Sequence, residues 1–290
     1  MTAPTPTDGK GTDSLLRAIA AGTTLYDLSQ PLENSMPCSP NHPGFRMALI
    51  RRHGDAERPD GSSAASELIV TGGHVGTHID ALSHASLHGR MFGGHDAEEA
   101  QRGGRFTVHG IESVPPMVCR GVVLDIARQQ GREVLEPGYG ITADDLERAT
   151  RATGHRPAEG DVCLVRTGWA RLWNDADAYI GHAEGVPGLT ESAARWIADH
   201  AVRAVGGDTT AVEQIPAGEG HRVLPVHRTL LVEHGIHLVE HLNLESLCAA
   251  GIGEFLFVLS PLKIVGATGS PVRPLAVVTR QDDGGEGTRR

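Results

Sequence analysis

His74, His78, Asp80 and His84 fall within eleven residues, in the segment Gly72–His84 (GGHVGTHIDALSH). Imidazole nitrogen with carboxylate oxygen is the donor mixture that Zn, Mn and Fe(II) accept. A divalent ion so held, with coordination positions left open, lowers the pKa of a bound water to roughly 7 and polarises a carbonyl as a Lewis acid. That is equipment for hydrolysis. No GxSxG elbow and no Cys beside a His offers a serine or thiol nucleophile in its place.

Geometry decides whether these donors can share an ion. A helix would bring His74 and His78 to one face, but Gly73, Val75, Gly76, Thr77 and Ile79 make poor helix sequence. In a straight strand all four residues share parity, yet His74 and His78 would stand about 13 Å apart, too far for one ion. The chain is therefore expected to bend at Gly76, which tolerates positive φ, while His78 and Asp80, two residues apart, still point together. Val75, Ile79, Ala81 and Leu82 alternate with the polar residues and would anchor such a strand beneath a pocket. His84, just past the ligands, is placed to take a proton from water and return it to a leaving nitrogen, because imidazole titrates near neutral pH.

His227 and Glu240 are further candidates. His227 opens an amphipathic helical stretch and Glu240 follows the apolar pair Leu238 and Val239 in a strand. A helix start and a strand end can meet, and both residues equally suit a solvated surface.

HVGTHIDALSH resembles the HxGTHxDxxxH signature of the cyclase-like metal-dependent hydrolases, the family of bacterial kynurenine formamidase and isatin hydrolase. DLSQPLENSMPCSP, GDVCLVRTGW from Gly160, VGGDTTAVEQIP from Val205 and HRTLLVEHGIHLVEHLNL from His227 resemble the same family, so the likeness covers nearly the whole chain. The resemblance implies that His74, His78 and Asp80 are metal ligands and His84 the acid/base histidine. It implies a swivelling β/β/α fold, a homodimer or larger assembly, and Mn²⁺, with Zn²⁺ as the alternative. In formamidase-type members a second metal shares the aspartate and takes a later His and Glu, which here are His227 and Glu240. The isatin hydrolase branch works with a single manganese, and Ala81 in place of the formamidase Pro matches that branch, so one ion is expected and two are the alternative. The implied substrate is a small cyclic amide, N-formyl amide or lactone attached to an aromatic system, hydrolysed at its C–N bond in the amide cases.

The elements that must position these residues are short β-branched runs: TTLYDLS, ELIVTG, GVVLDIA, DVCLVRTG, HLVEHL and EFLFVLSPLKIV. Helical patterns alternate with them at SLLRAIAAG, TADDLERATRAT, TESAARWIADHAV and PVHRTLLVEHG, with Thr142 and Thr190 at N-cap positions and Gly235 at a left-handed C-cap. The expected fold is α/β, one domain over residues 14–280 with a mixed, strand-rich central sheet flanked by helices, between disordered tails at 1–13 and 281–290. Phe45, Phe92, Trp169 and Trp173 could stack on a flat substrate ring or simply fill the core, and Met91–Gly94 reads as a loop over the pocket.

A net charge of -10 over 290 residues, without a basic cluster, argues against nucleic acid. No apolar run approaches the roughly 20 residues that span a bilayer, and the first residues do not read as a secretory signal, so a cytoplasmic location is expected. Cys38, Cys119, Cys163 and Cys248 are far apart and suggest neither a disulfide framework nor a zinc knot. Two other functions use the same residues. A non-haem Fe(II) oxygenase would take His78, Asp80 and His227 as a facial triad, but it calls for an all-β barrel and leaves His74 and His84 without a role. A ring-closing or binding protein on the same scaffold would keep the metal without activating water.

Overall fold

Side chains in the central strands are apolar in consecutive positions, as a sheet buried on both faces requires. In the computed structural model, which describes residues 10–279, nine strands form one mixed sheet. Leaving aside two ribbons of two-residue strands, the strands in chain order are β1 (Thr23–Asp27), β2 (Arg46–Arg51), β3 (Ser66–Val70), β4 (His78–Asp80), β5 (Met117–Asp125), β6 (Val162–Arg166), β7 (Ala204–Gly207), β8 (His237–Glu240), β9 (Glu254–Leu259), β10 (Gly269–Pro271) and β11 (Leu275–Thr279). The sheet runs β1-β11-β9-β5-β6-β7-β8-β4-β10. Strands β5 to β8 are parallel to one another, and the pairs outside them are antiparallel.

Alternation along each strand divides two cores. Val122, Leu124, Cys163, Val165, Val205 and Leu238 face the helices Ala143–Thr153 and Glu191–Asp199, which contribute Leu146, Ala149, Ala193 and Ile197. Val123, Val162, Leu164, Ala204 and Val239 face the other way, onto Leu28, Leu247 and Phe257. The α/β expectation of a mixed sheet flanked by helices is therefore borne out. Thr142 and Thr190 cap the two helices as their sequences require, Thr142 in a capping box with Asp145.

Three details depart from the sequence reading. Residues Lys10–Asp13, read as tail, are the first turn of the helix Lys10–Ala20, because an apolar helical run propagates backward at little cost once nucleated. The remaining tail residues lie outside the described residues. ELIVTG does form a strand, β3, but β3 pairs only with β2 in a separate ribbon whose Met47, Ile50, Leu68 and Val70 stand exposed. Strand propensity says nothing about which partner a strand finds. PVHRTLLVEHG begins as a helical turn at Pro225–His227 and widens into a π-helix over Arg228–His234, ending at Gly235 with φ 68°. All four cysteines are free.

Candidate metal centre

The carboxyl ends of parallel strands leave a crevice where α/β sheets bind ligands. Here β7 and β8 end at Gly207 and Glu240, and antiparallel β4 docks beside β8 so that His78 lies opposite Glu240 and Ile79 opposite Val239. Register alone thus brings the Gly72–His84 segment to the sheet's functional end.

Gly76 bends the chain as expected, with φ 65°. His74 comes back over β4, its Nδ1 2.7 Å from Asp80 Oδ1, and its ring lies against Gly269 of β10, where an added Cβ would sit 2.6 Å from His74 Cε1. Val75, Ile79 and Ala81 are buried beneath. A Cβ at Gly76 would meet Leu32 Cδ2 at 2.4 Å in addition to the left-handed strain. Gly76→Ala is expected to destabilise the protein by about 1–3 kcal/mol. A urea midpoint unchanged from wild type would contradict the bend's role.

Six predicted residues converge. His78 Nε2 lies 3.5 Å from Asp80 Oδ1 and 3.3 Å from Glu240 Oε2, while His227 Nε2 lies 3.8 Å from Asp80 Oδ2 and 3.4 Å from Glu240 Oε1. Asp80 therefore turns one oxygen toward His74 and His78 and the other toward His227. His84, in the short 3₁₀ turn Leu82–His84, stacks on His74 with ring centroids 3.9 Å apart and shares a donor cluster with Asp80 and His227.

Each imidazole of the cluster's edge is fixed from behind, the arrangement that orients metal-binding histidines. His78 Nδ1 donates to the Gly76 carbonyl at 2.7 Å, His227 Nδ1 meets Glu213 Oε2 at 2.6 Å, and His74 Nε2 meets Thr268 Oγ1 at 2.9 Å. Glu213 also accepts from the backbone N–H groups of Val226 and His227, so one fully buried carboxylate sets both the helix start and the ring.

Burial works to raise the pKa of Asp80, yet the facing rings of His84, His74 and His78 hold it well below the usual carboxylate range. Burial and Asp80 likewise push Glu240 up, but the imidazoles of His227 and His78, 3.4 and 3.3 Å from its oxygens, bring it down to about 2. Burial pushes His84 down to about 4, so its ring is neutral at pH 7, lower than the ordinary imidazole value that the sequence suggests. Meanwhile His78 Nε2, Asp80 Oδ2 and Glu240 Oε1 are sealed from solvent and make no hydrogen bond. Two ionised carboxylates among imidazole nitrogens, with three buried polar atoms left unsatisfied, fit a divalent cation: an orphaned buried group costs about 1–3 kcal/mol, and more when charged. Three three-donor sets result: His74, His78 and Asp80; Asp80, His84 and His227; and His78, Glu240 and His241.

The aromatic candidates separate. Trp173 stands edge-on to Tyr179 and to His241 of the cluster's margin, at 5.0 and 5.9 Å between centroids. Phe45 is buried in the apolar cluster with Met36 and Val75, and Trp169 donates from Nε1 to the Tyr179 carbonyl in the same cluster. Phe92, in the turn after Met91, packs on Gly235, where a Cβ would meet its Cζ at 2.5 Å. Sequence reasoning did not single out Glu213, Tyr179 or His241. For Glu213 the signal was its place in the family-like VGGDTTAVEQIP, and for His241 its place directly after Glu240. A cavity of about 320 Å³ is walled by Asn41, His182, His221, Arg222, Thr210 and Ile215; no cluster residue lines it, but His221 in its wall feels Glu240 and His227 electrostatically.

A mixed α/β sheet that gathers histidines and carboxylates at the ends of its parallel strands has the build of a metal-dependent hydrolase. Residues 26–214 match the Cyclase family model, and the protein belongs to that family. It is 27% identical over 226 residues to the isatin hydrolase of Roseibium aggregatum, covering 76% of this chain and 78% of that protein. Among solved structures, that of a novel cyclase matches with TM-score 0.80 and 29% identity, over 90% of this chain and 92% of that one. Isatin hydrolase A from Ralstonia solanacearum matches with TM-score 0.72 and 26% identity, over 96% of this chain and all of that one (100%). The all-β barrel that a facial-triad oxygenase calls for is not this fold. Among the described residues no helix is long and apolar enough to cross a membrane.

Proposed function

We propose that the protein hydrolyses a C–N bond next to an aromatic ring, in a cyclic amide or an N-formyl amide. The observation that carries the reading is the convergence of His74, His78, Asp80, His227 and Glu240 around three buried, unsatisfied polar atoms, with neutral His84 stacked beside them. His74, His78 and Asp80 would hold the principal divalent ion. Asp80 Oδ2, His227 and Glu240 supply donors for a second, and the orphaned Asp80 Oδ2 and Glu240 Oε1 favour that two-ion alternative over the single ion expected from sequence. When bound, such an ion supplies Lewis acidity toward a carbonyl oxygen and acidifies water.

The chain's own residues do the rest. His84 takes the proton from the attacking water as the new C–O bond forms, and returns it to the nitrogen as the C–N bond breaks, giving a carboxylic acid and an amine. Glu213 holds the His227 ring in one orientation. Trp173 and Tyr179 are buried behind the cluster's margin, where they back the ring of His241. The sequence similarity to isatin hydrolase makes isatin the first substrate to try, with N-formylkynurenine, other aryl formamides and aromatic lactones beside it.

The test is a chelator-stripped protein reloaded with Mn²⁺ or Zn²⁺ and assayed on these compounds, with bound metal counted. Ring opening of isatin or deformylation, restored by one or two equivalents of metal, is the expected result. Full activity in the stripped protein, or oxygen uptake coupled to substrate loss, would overturn the reading.

A further inference from the structure

We propose that His241 Nε2 accepts a hydrogen bond from the substrate N–H beside the scissile carbonyl, making the site selective for N–H amides over lactones. This deepens the hydrolase reading and rests on it for the position of the scissile bond.

His241 is the first residue beyond the carboxyl end of β8, and its backbone is left-handed with φ 55°. A non-glycine residue so placed carries strain of about 1–3 kcal/mol, and such strain persists only where the surroundings over-determine it. Three contacts do so here. Its N–H donates to the Thr209 carbonyl at 3.0 Å, its carbonyl accepts from Thr77 Oγ1 at 2.6 Å, and its Nδ1 lies 3.0 Å from the Tyr179 hydroxyl.

The Tyr179 hydroxyl also lies 3.3 Å from the Asp208 carbonyl. A carbonyl can only accept, and with the phenolic proton turned to it the phenolic oxygen accepts from Nδ1–H of His241, the tautomer this proposal assigns. The proton on Nδ1 leaves Nε2 as a bare lone pair. Nε2 has no hydrogen-bond partner among the described residues and, in a residue 4% exposed, keeps a small opening to solvent.

The ring stands at the cluster's edge: a nitrogen of His241 lies within 4.8 Å of the donor atoms of His78 and Glu240, so a group bound at the cluster comes within its reach. The ring is flanked by Tyr179, stacked at 5.6 Å, and by Trp173, edge-on at 5.9 Å. An acceptor held in one tautomer welcomes an amide N–H and repels the lone pairs of a lactone ring oxygen. A site built to bond an N–H discriminates strongly against analogues that lack it.

Three probes of one skeleton test this on the Zn²⁺-loaded protein: indolin-2-one, its N-methyl derivative and the lactone benzofuran-2-one, each measured for binding and for hydrolysis. Wild type is expected to bind indolin-2-one at least tenfold more tightly than the other two, and nitrogen-detected NMR to show His241 as the Nδ1–H tautomer. Tyr179→Phe removes the acceptor behind Nδ1 and frees the ring to carry its proton on Nε2, so the amide preference should collapse and the lactone gain relative to the amide. His241→Gly, which relieves the left-handed strain, should also bring the preference to near unity. Metal stoichiometry should be unchanged in both variants. An Nε2–H tautomer in wild type, no binding preference in wild type, or the same preference in the variants would overturn the proposal. Preferential binding with the expected tautomer, but no hydrolysis of any probe, would instead count against the hydrolase reading and leave the His241 assignment standing.

Discussion

His78→Ala is expected to cost the protein its metal, lowering affinity by more than ~100-fold and turnover to background. Substitutions one layer behind a ligand already cost about 10- to 100-fold in affinity, and His78 is a central donor of the cluster. It is 1% exposed, its Nδ1 proton is committed to the Gly76 carbonyl, and its Nε2 reaches both Asp80 and Glu240. No neighbour can stand in for it, because β4 is pinned between β8 and β10 and cannot slide one residue without turning Asp80 away from the cluster. Elemental analysis after dialysis reads the result, and retention of a full equivalent would refute the ligand assignment. The variant should also lose much of the thermal stabilisation that added metal gives to wild type, since a ligand that binds only the folded state raises its stability by mass action. Burial and the remaining ionised carboxylates make the empty cluster costly to maintain.

How much of this centre was readable beforehand depends on sequence distance. His74, His78, Asp80 and His84 are local, and the failure of both a helix and a straight strand to join them points to a bend at Gly76, which the φ of 65° matches. The buried parallel strands are equally readable, because GVVLDIA and DVCLVRTG are continuous apolar runs. Register is another matter. That Glu240 faces His78 follows from β8 pairing with β4 across more than 150 residues, and no pattern within either strand specifies it. Glu213 and Tyr179 act on His227 and His241 from separate elements, so their roles exist only in the folded chain. His241 conceals its role further, since the left-handed backbone that aims its ring is usually announced by glycine and here is taken by a histidine.

His84→Ala is expected to lower kcat by ~100-fold or more while a normal complement of metal stays bound, the loss typical of a positioned acid/base group. The contrast with His78→Ala follows from where the two rings stand. His84 is reached after the turn that follows β4, and it stacks on His74 at 3.9 Å with no hydrogen bond to Asp80 or Glu240, so the set formed by His74, His78 and Asp80 survives its removal. Its burial also fixes the direction of the pH effect. A histidine pushed down to about 4 is neutral, and so able to accept a proton, at every pH above that value, and loses this capacity as pH falls through it. The rate of wild type should therefore hold well below the ordinary imidazole range before falling on the acid side, provided metal is kept in excess. In His84→Ala the residual rate should lack that acid-side fall, because the group that titrates is gone. A variant that kept full turnover with its metal bound would remove His84 from the proton path and leave water activation to the cluster alone.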